Sequence, residues 1–292
     1  MGLGCNNFGW RLDSARTKDV VDAAMDAGID FFDTADLYGD GASEEYLGKA
    51  LGSRRSQVVI ATKFGHERSS FGKGARPEHV RRMLNGSLAR LATDYVDLYQ
   101  IHQPDPDTPI ADTLATMGDL VREGKVREIG CSQFSVAQMR EAERAMAAGG
   151  PKFVSVQNEF SMLTREPEDG VLAECARQGM AFLPFFPLAS GMLTGKYRQG
   201  KPNPEKGRLS EGKYEGLLSE RNYDLVERLV AFAEPRGHTM IELAISWLLS
   251  HREVASVIAG ATKPEQVRMN AASGGWALDA SEMREVAAVL TG

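Results

Sequence analysis

Short apolar runs alternate with longer amphipathic ones along nearly the whole chain of 292 residues. The strand-like runs cover residues 3–7, 29–33, 58–62, 95–101, 128–131, 153–157, 180–186 and 255–258. Several show no polar alternation, as expected for strands covered on both faces. Helical patterns lie between them. Val80, Met83, Leu84, Leu88 and Leu91 recur at helical spacing, with Arg81, Arg82 and Arg90 on other faces. Pro77 suits the first turn of that helix. Ser43, followed by Glu45 and Tyr46, opens another, and Gly28 and Gly179 close helices just before strands. Further helical patterns cover 18–27, 108–123, 135–148, 168–178, 240–250, 264–271 and 281–290. Eight strands alternating with helices, with no break in composition, predict an α/β chain: one closed (β/α)8 TIM barrel domain over residues 1–292. A doubly wound sheet is the alternative. Gly2 and Gly4 resemble the start of its dinucleotide fingerprint, but Asn7 holds the third glycine position and no helix follows at once.

One stretch interrupts the alternation. Residues 188–237 read as a long loop, with a Gly-, Pro- and charge-rich segment KYRQGKPNPEKGRLSEGKYEG. A loop of that length in a compact fold is usually a lid or a binding loop. Following the seventh strand, it belongs to the C-terminal face of the barrel.

Composition narrows the partners. Net charge is −6 with no dense basic run, so no nucleic-acid footprint is expected. Cys5, Cys131 and Cys175 are widely spaced, which fits neither a disulfide framework nor a zinc site and suits a reducing cytoplasm. No apolar run approaches the roughly 20 residues that span a bilayer. No export signal is expected at the N-terminus. The reading is a cytoplasmic protein with no membrane partner and no metal.

Four chemistry-bearing residues sit at or near strand ends. Asp33 closes the second run, Tyr38 follows it by five residues, Lys63 closes VVIATK and His102 closes YVDLYQIH. A parallel barrel brings such ends to one face. Each alone has an ordinary reading, as a cap, a packing ring or a solvated charge; four together suit carbonyl reduction. A tyrosine can donate the proton, but its free pKa of about 10 is high. A neighbouring lysine cation would lower it, Asp33 would keep Lys63 charged, and His102 could donate a second hydrogen bond to the carbonyl. His66, His79, His238 and His251 read as surface or packing residues.

These residues, in this order, resemble the catalytic tetrad of the aldo-keto reductases. The resemblance runs through GLGCNNFG, DTADLYG with SEEYLGKAL, VVIATKFG, SLARLATDYVDLYQIHQPDP, VREGKVREIGCSQFS, SVQNEFSML, LPFFPLASGMLTGKY and VIAGATKPEQVRMN. It implies NADPH as cofactor and a small carbonyl compound as substrate. By resemblance Ser132 and Gln157 hold the nicotinamide carboxamide and Phe185 stacks on its ring. Leu188, Ser190, Gly191 and Leu193 match the pyrophosphate loop. Gly260, Thr262, Lys263, Gln266 and Asn270 match the segment that holds the adenosine 2′-phosphate and adenine. A phosphate site at a helix start, with Lys263 adding charge, is also what the residues suggest by themselves. Gln133 stands where the family commonly has Asn, and Phe185 where it commonly has Tyr. The family's usual β-hairpin before the first strand is not expected here.

Two other functions compete. A Schiff-base aldolase could use Lys63, but needs it neutral. A non-catalytic cofactor-binding regulatory subunit would resemble the channel-associated β subunits of the same family. Phe8, Trp10, Phe64 and Phe71 near the mouth suggest an apolar or aromatic substrate. Oligomeric state is not legible.

Overall fold

A computed structural model describes residues 1–146, 150–205, 207–212 and 214–291. Its strands are β1 (Gly2–Gly4), β2 (Phe31–Asp33), β3 (Val59–Phe64), β4 (Val96–Ile101), β5 (Val126–Ser132), β6 (Phe153–Gln157), β7 (Ala181–Phe182) and β8 (Ile258–Gly260). They form one parallel sheet in the order β7-β6-β5-β4-β3-β2-β1-β8. The seam between its two edges is closed by backbone bonds. Phe182 N–H donates to the Glu253 carbonyl (2.7 Å), Ala255 N–H to Phe182 (3.2 Å) and Ile258 N–H to Pro184 (3.1 Å). The fold is a (β/α)8 barrel.

The helices are α1 (Ser14–Asp26), α2 (Ala42–Leu51), α3 (Pro77–Leu91), α4 (Ile110–Arg122), α5 (Val136–Ala145), α6 (Val171–Gln178), α7 (Glu220–Ala233), α8 (Met240–Leu249), α9 (Pro264–Ala272) and α10 (Ala280–Thr291). Their starts are written in polar side chains. Asp13 accepts from Arg16 N–H at the head of α1, and Ser135 with Gln138, like Thr239 with Glu242, makes a reciprocal capping pair. The helices bury one stripe each against the barrel, such as Val80, Leu84 and Leu88 of α3.

Several boundaries differ from those expected. Residues 220–233 of the predicted long loop form α7, which buries Leu225, Val226, Leu229, Val230, Phe232 and Ala233. The Pro- and Gly-rich segment before it hides that stripe in the composition. The seventh strand is two residues long instead of seven, because Pro184, Pro187 and a left-handed Phe186 (φ 52°) break the ladder. The eighth is shifted toward the C-terminus, and residues 5–7 leave the first strand for a turn. Residues 147 and 148 of the predicted fifth helix lie outside the described residues.

Strand alternation sorts the side chains. Register pairs Ala61 with Leu98 and Lys63 with Gln100, so these four share the inner face. Ala61, Leu98, Leu183 and Ile258 form the apolar centre of the barrel. Thr62, Phe64, Tyr99 and Ile101 point outward, and Phe64 stacks on Tyr99 at 4.6 Å between centroids. Among the described residues no helix is long and apolar enough to cross a membrane.

Candidate active site

The C-terminal ends of the strands open into a cavity of about 1100 Å³. Lys63 lies beneath it with no exposed surface, and its Nζ donates to Asp33 Oδ2 (2.7 Å) and to the Thr34 carbonyl (2.9 Å). The other Asp33 oxygen accepts from Gln157 Nε2 at 2.8 Å. Gln157 is placed in turn by Ser132, whose hydroxyl donates to the Gln157 carbonyl (2.8 Å). Strands β2, β3, β5 and β6 thus clamp one ion pair.

Tyr38 sits on the turn that follows β2, where Gly39 and Asp40 have left-handed backbones. Its ring centroid is 5.2 Å from Lys63 Nζ and 5.8 Å from the His102 ring. His102 follows β4, and its amide donates to the Phe64 carbonyl (2.9 Å). Asp33, Tyr38, Lys63 and His102 are therefore brought together as the sequence predicted.

The electrostatics correct one expectation. Lys63 was expected to lower the Tyr38 pKa. Its charge and hydrogen bonding do act in that direction, but burial acts more strongly, and the Tyr38 pKa is raised. The phenol keeps its proton at neutral pH. Lys63 is opposed by its own burial, yet the Asp33 carboxylate and, once ionised, the Tyr38 phenolate outweigh this and raise its pKa. It remains a cation. Burial first, then the Lys63 charge and His66, hold the His102 pKa well below the usual imidazole value, so this ring is neutral.

Most other residues expected in the site line the same cavity. Ser132, Gln157 and Phe185 lie on its wall, and Phe185 meets Phe186 edge-on at 5.3 Å. Leu188, Ser190 and Gly191 line it along a turn in which Ser190 and Gly191 are left-handed (φ 55° and 105°). Leu193 does not: it is fully buried, and its amide is spent on the Leu188 carbonyl (3.2 Å). Gly260, Thr262, Lys263, Gln266 and Asn270 line the far end, around the start of α9. Gln266 Oε1 accepts from Thr262 N–H (2.7 Å) and from its hydroxyl (3.1 Å).

The aromatic mouth is corrected more fully. Phe8 and Phe64 are fully buried in the core and do not reach the cavity. Phe71 packs under the Arg90 guanidinium at 4.7 Å. Only Trp10 of the four lines the cavity, 58% exposed and covered on one face by Arg11 at 4.5 Å. His66, read from sequence as ordinary, lies against His102 with ring centroids 4.8 Å apart.

Three residues went unassigned in the sequence. Lys196 lines the cavity beside Gly191, where a methyl group would come within 3.5 Å of Nζ. No carboxylate pairs with it among the described residues, and partial burial, then the Arg11 charge, depress its pKa. Arg208 reaches from the loop before α7 to Asn7 Oδ1 (3.2 Å), while Asn7 Nδ2 donates to the Ala261 carbonyl (3.1 Å). These contacts join parts of the chain 201 and 254 residues apart, which no local pattern encodes.

Comparisons with known proteins bear on the family and the fold. Residues 1–291 match the model of the aldo/keto reductase family. The chain is 36% identical over 275 residues to a probable voltage-gated potassium channel subunit beta of Oryza sativa subsp. japonica, covering 90% of this chain and 83% of that protein. It is 32% identical over 300 residues to aldo-keto reductase YhdN of Bacillus subtilis, covering 99% and 89%. Among solved structures it resembles the glycerol dehydrogenase AKR11B4 of Gluconobacter oxydans, with a TM-score of 0.86, 28% identity and 99% and 90% coverage. With a whole-chain family match over a barrel of this kind, the chain belongs to the aldo/keto reductases, oxidoreductases of carbonyl compounds.

Proposed function

We propose that this enzyme reduces an aldehyde or ketone to the alcohol with NADPH, and that Tyr38 delivers the proton. The observation that carries this reading is the fully buried Lys63, held by Asp33 at 2.7 Å against a tyrosine that lines the cavity. A lysine with no exposed surface is costly to keep charged unless it is paired and hydrogen-bonded, and such buried charges beside a cleft cluster at functional sites.

The residues divide the work. Tyr38, protonated at neutral pH, donates to the carbonyl oxygen as charge builds there. Lys63 stabilises the phenolate left behind. Asp33 keeps Lys63 charged, and Gln157 fixes the rotation of Asp33. The neutral His102 offers one N–H to the same oxygen. Nicotinamide, when bound, supplies the hydride that goes to the carbonyl carbon.

The cavity suits a dinucleotide diphosphate. In a chain of net charge −6, Lys196, Arg208 and Lys263 all line it. Ser132 and Gln157 would hold the nicotinamide end, Phe185 would stack on its ring, and Leu188, Ser190, Gly191 and Lys196 would hold the pyrophosphate. Gly260 to Asn270 would hold the adenosine end. There Lys263, at the start of α9, has no ion-pair partner among the described residues and would meet the 2′-phosphate that separates NADPH from NADH. The three free, buried cysteines suit a reducing cytoplasmic setting.

An aldolase through Lys63 is disfavoured, since the ion pair keeps that amine protonated. The rice relative's name favours a regulatory subunit as the second reading. Steady NADPH oxidation with stoichiometric alcohol formation on an aldehyde panel supports the enzyme reading. Tight NADPH binding with no turnover on any member would replace it by the subunit.

A further inference from the structure

Building on the carbonyl reductase reading, we infer that the substrate carries an anionic group, a phosphate ester or a carboxylate, which Arg68 and His66 hold beside Tyr38 and His102. The cavity has two ends. The groups suited to the cofactor follow β5 to β8, whereas Tyr38, His66, Arg68 and His102 follow β2 to β4 and line the part left for the substrate. Phe8 and Phe64 lie in the core and Phe71 is capped by Arg90, so of the expected aromatic mouth only Trp10 stands beside these polar groups on the wall.

The loop after β3 has a fixed backbone, from which the exposed Arg68 side chain projects. Gly74 N–H donates to the Gly65 carbonyl (3.0 Å), and Ser69 N–H to the His66 carbonyl (2.9 Å). Gly65 is left-handed (φ 86°), and a methyl group there would come 2.6 Å from the Gly74 carbonyl oxygen, so the neck of the loop is tight. His66 Nδ1 accepts from the Arg68 backbone N–H (3.1 Å). A neutral ring with an accepting Nδ1 carries its proton on Nε2, so His66 is a donor next to His102. Burial and the Arg68 charge lower the His66 pKa, which keeps it in that neutral form.

The Arg68 guanidinium lines the cavity and makes no ion pair among the described residues. Of the carboxylates on the wall, Asp33 is paired with Lys63. Asp40, on the rim, makes no ion pair with Arg68, so the two charges do not cancel by contact. A planar guanidinium with free donors fits the paired oxygens of a phosphate or carboxylate. The anion is a spectator: hydride adds to the carbonyl carbon and the Tyr38 proton to its oxygen, and no bond to the anion changes.

The test compares kcat/KM with NADPH in two matched pairs, glyceraldehyde 3-phosphate against glyceraldehyde and succinic semialdehyde against butanal. Wild type should prefer the anionic member of at least one pair by about tenfold or more, the scale of one charge-assisted contact. A preference in the first pair alone identifies a phosphate, and in the second alone a carboxylate. The preference should shrink with added salt. Arg68→Ala should bring the ratio close to one, mainly through KM of the anionic substrate, and Arg68→Lys should restore part of it. Equal kcat/KM within both pairs, or an unchanged ratio in Arg68→Ala, overturns the anion site while leaving carbonyl reduction intact. Absence of turnover on all four overturns the reductase reading and this inference with it.

Discussion

Replacing Asp36 with Asn should change the pH dependence of stability in a calculable way. Asp36 lies on the turn leading to Tyr38 and has no exposed surface. One of its oxygens accepts from Ser69 Oγ at a long 3.4 Å, and the other has no partner among the described residues. The charged groups around it are Glu44 of α2, Arg90 of α3 and, when ionised, the Tyr99 phenol of β4. Glu44 already takes Thr62 Oγ1 (2.5 Å) and Arg90 Nε (2.7 Å), so Arg90 is largely used elsewhere. Burial, and then repulsion from Glu44, raise the Asp36 pKa to about 7. The unfolded carboxyl titrates near 3.8. Folding therefore takes up a proton between these values. The stability due to the protonated acid is complete below about pH 4 and is lost as pH rises through about 7. A shift of about three units at 1.36 kcal/mol each sets an upper limit of about 4 kcal/mol. Asn cannot ionise and escapes this loss. Urea unfolding of both proteins at pH 5 and pH 8 should show the variant gaining on wild type by about 2–4 kcal/mol at the higher pH. An equal difference at the two pH values would refute a buried acid titrating near neutrality.

Lys63→Met removes the cation that favours the Tyr38 phenolate. The alkaline limb of the pH–rate profile should move upward while kcat falls by at least about 10²-fold; full activity with an unchanged profile contradicts the pairing. Lys263→Ala should weaken NADPH relative to NADH by about 1–3 kcal/mol in binding titrations, whereas Lys196→Ala should weaken both cofactors alike. An unchanged NADPH-to-NADH ratio in Lys263→Ala would remove that residue from the 2′-phosphate.

What the sequence encodes locally was legible. The eight strands, most helices and the convergence of Asp33, Tyr38, Lys63 and His102 follow from period, order and barrel topology. The stripe of α7 was obscured by its Pro- and Gly-rich neighbour, although positions 225, 226, 229 and 230 carry it. Phe64 was misplaced for a simpler reason. Adjacent strand residues face opposite ways, so an inward Lys63 requires an outward Phe64. The Tyr38 pKa needed the balance of burial against the Lys63 charge, and burial depth is a property of the folded chain. Contacts such as Arg208 with Asn7, or His66 with His102, join separate loops and leave no periodic trace.

The proton donor is the centre of the account, and Tyr38→Phe tests it most directly. Removing one hydroxyl leaves the ring beside Lys63 and His102 in place. The variant should bind NADPH like wild type in a fluorescence titration. Its single-turnover rate of NADPH oxidation with an aldehyde should fall by at least about 10²–10⁴-fold, the contribution of a general acid. Retained cofactor binding with that loss is the predicted result; hydride transfer at close to the wild-type rate would contradict it.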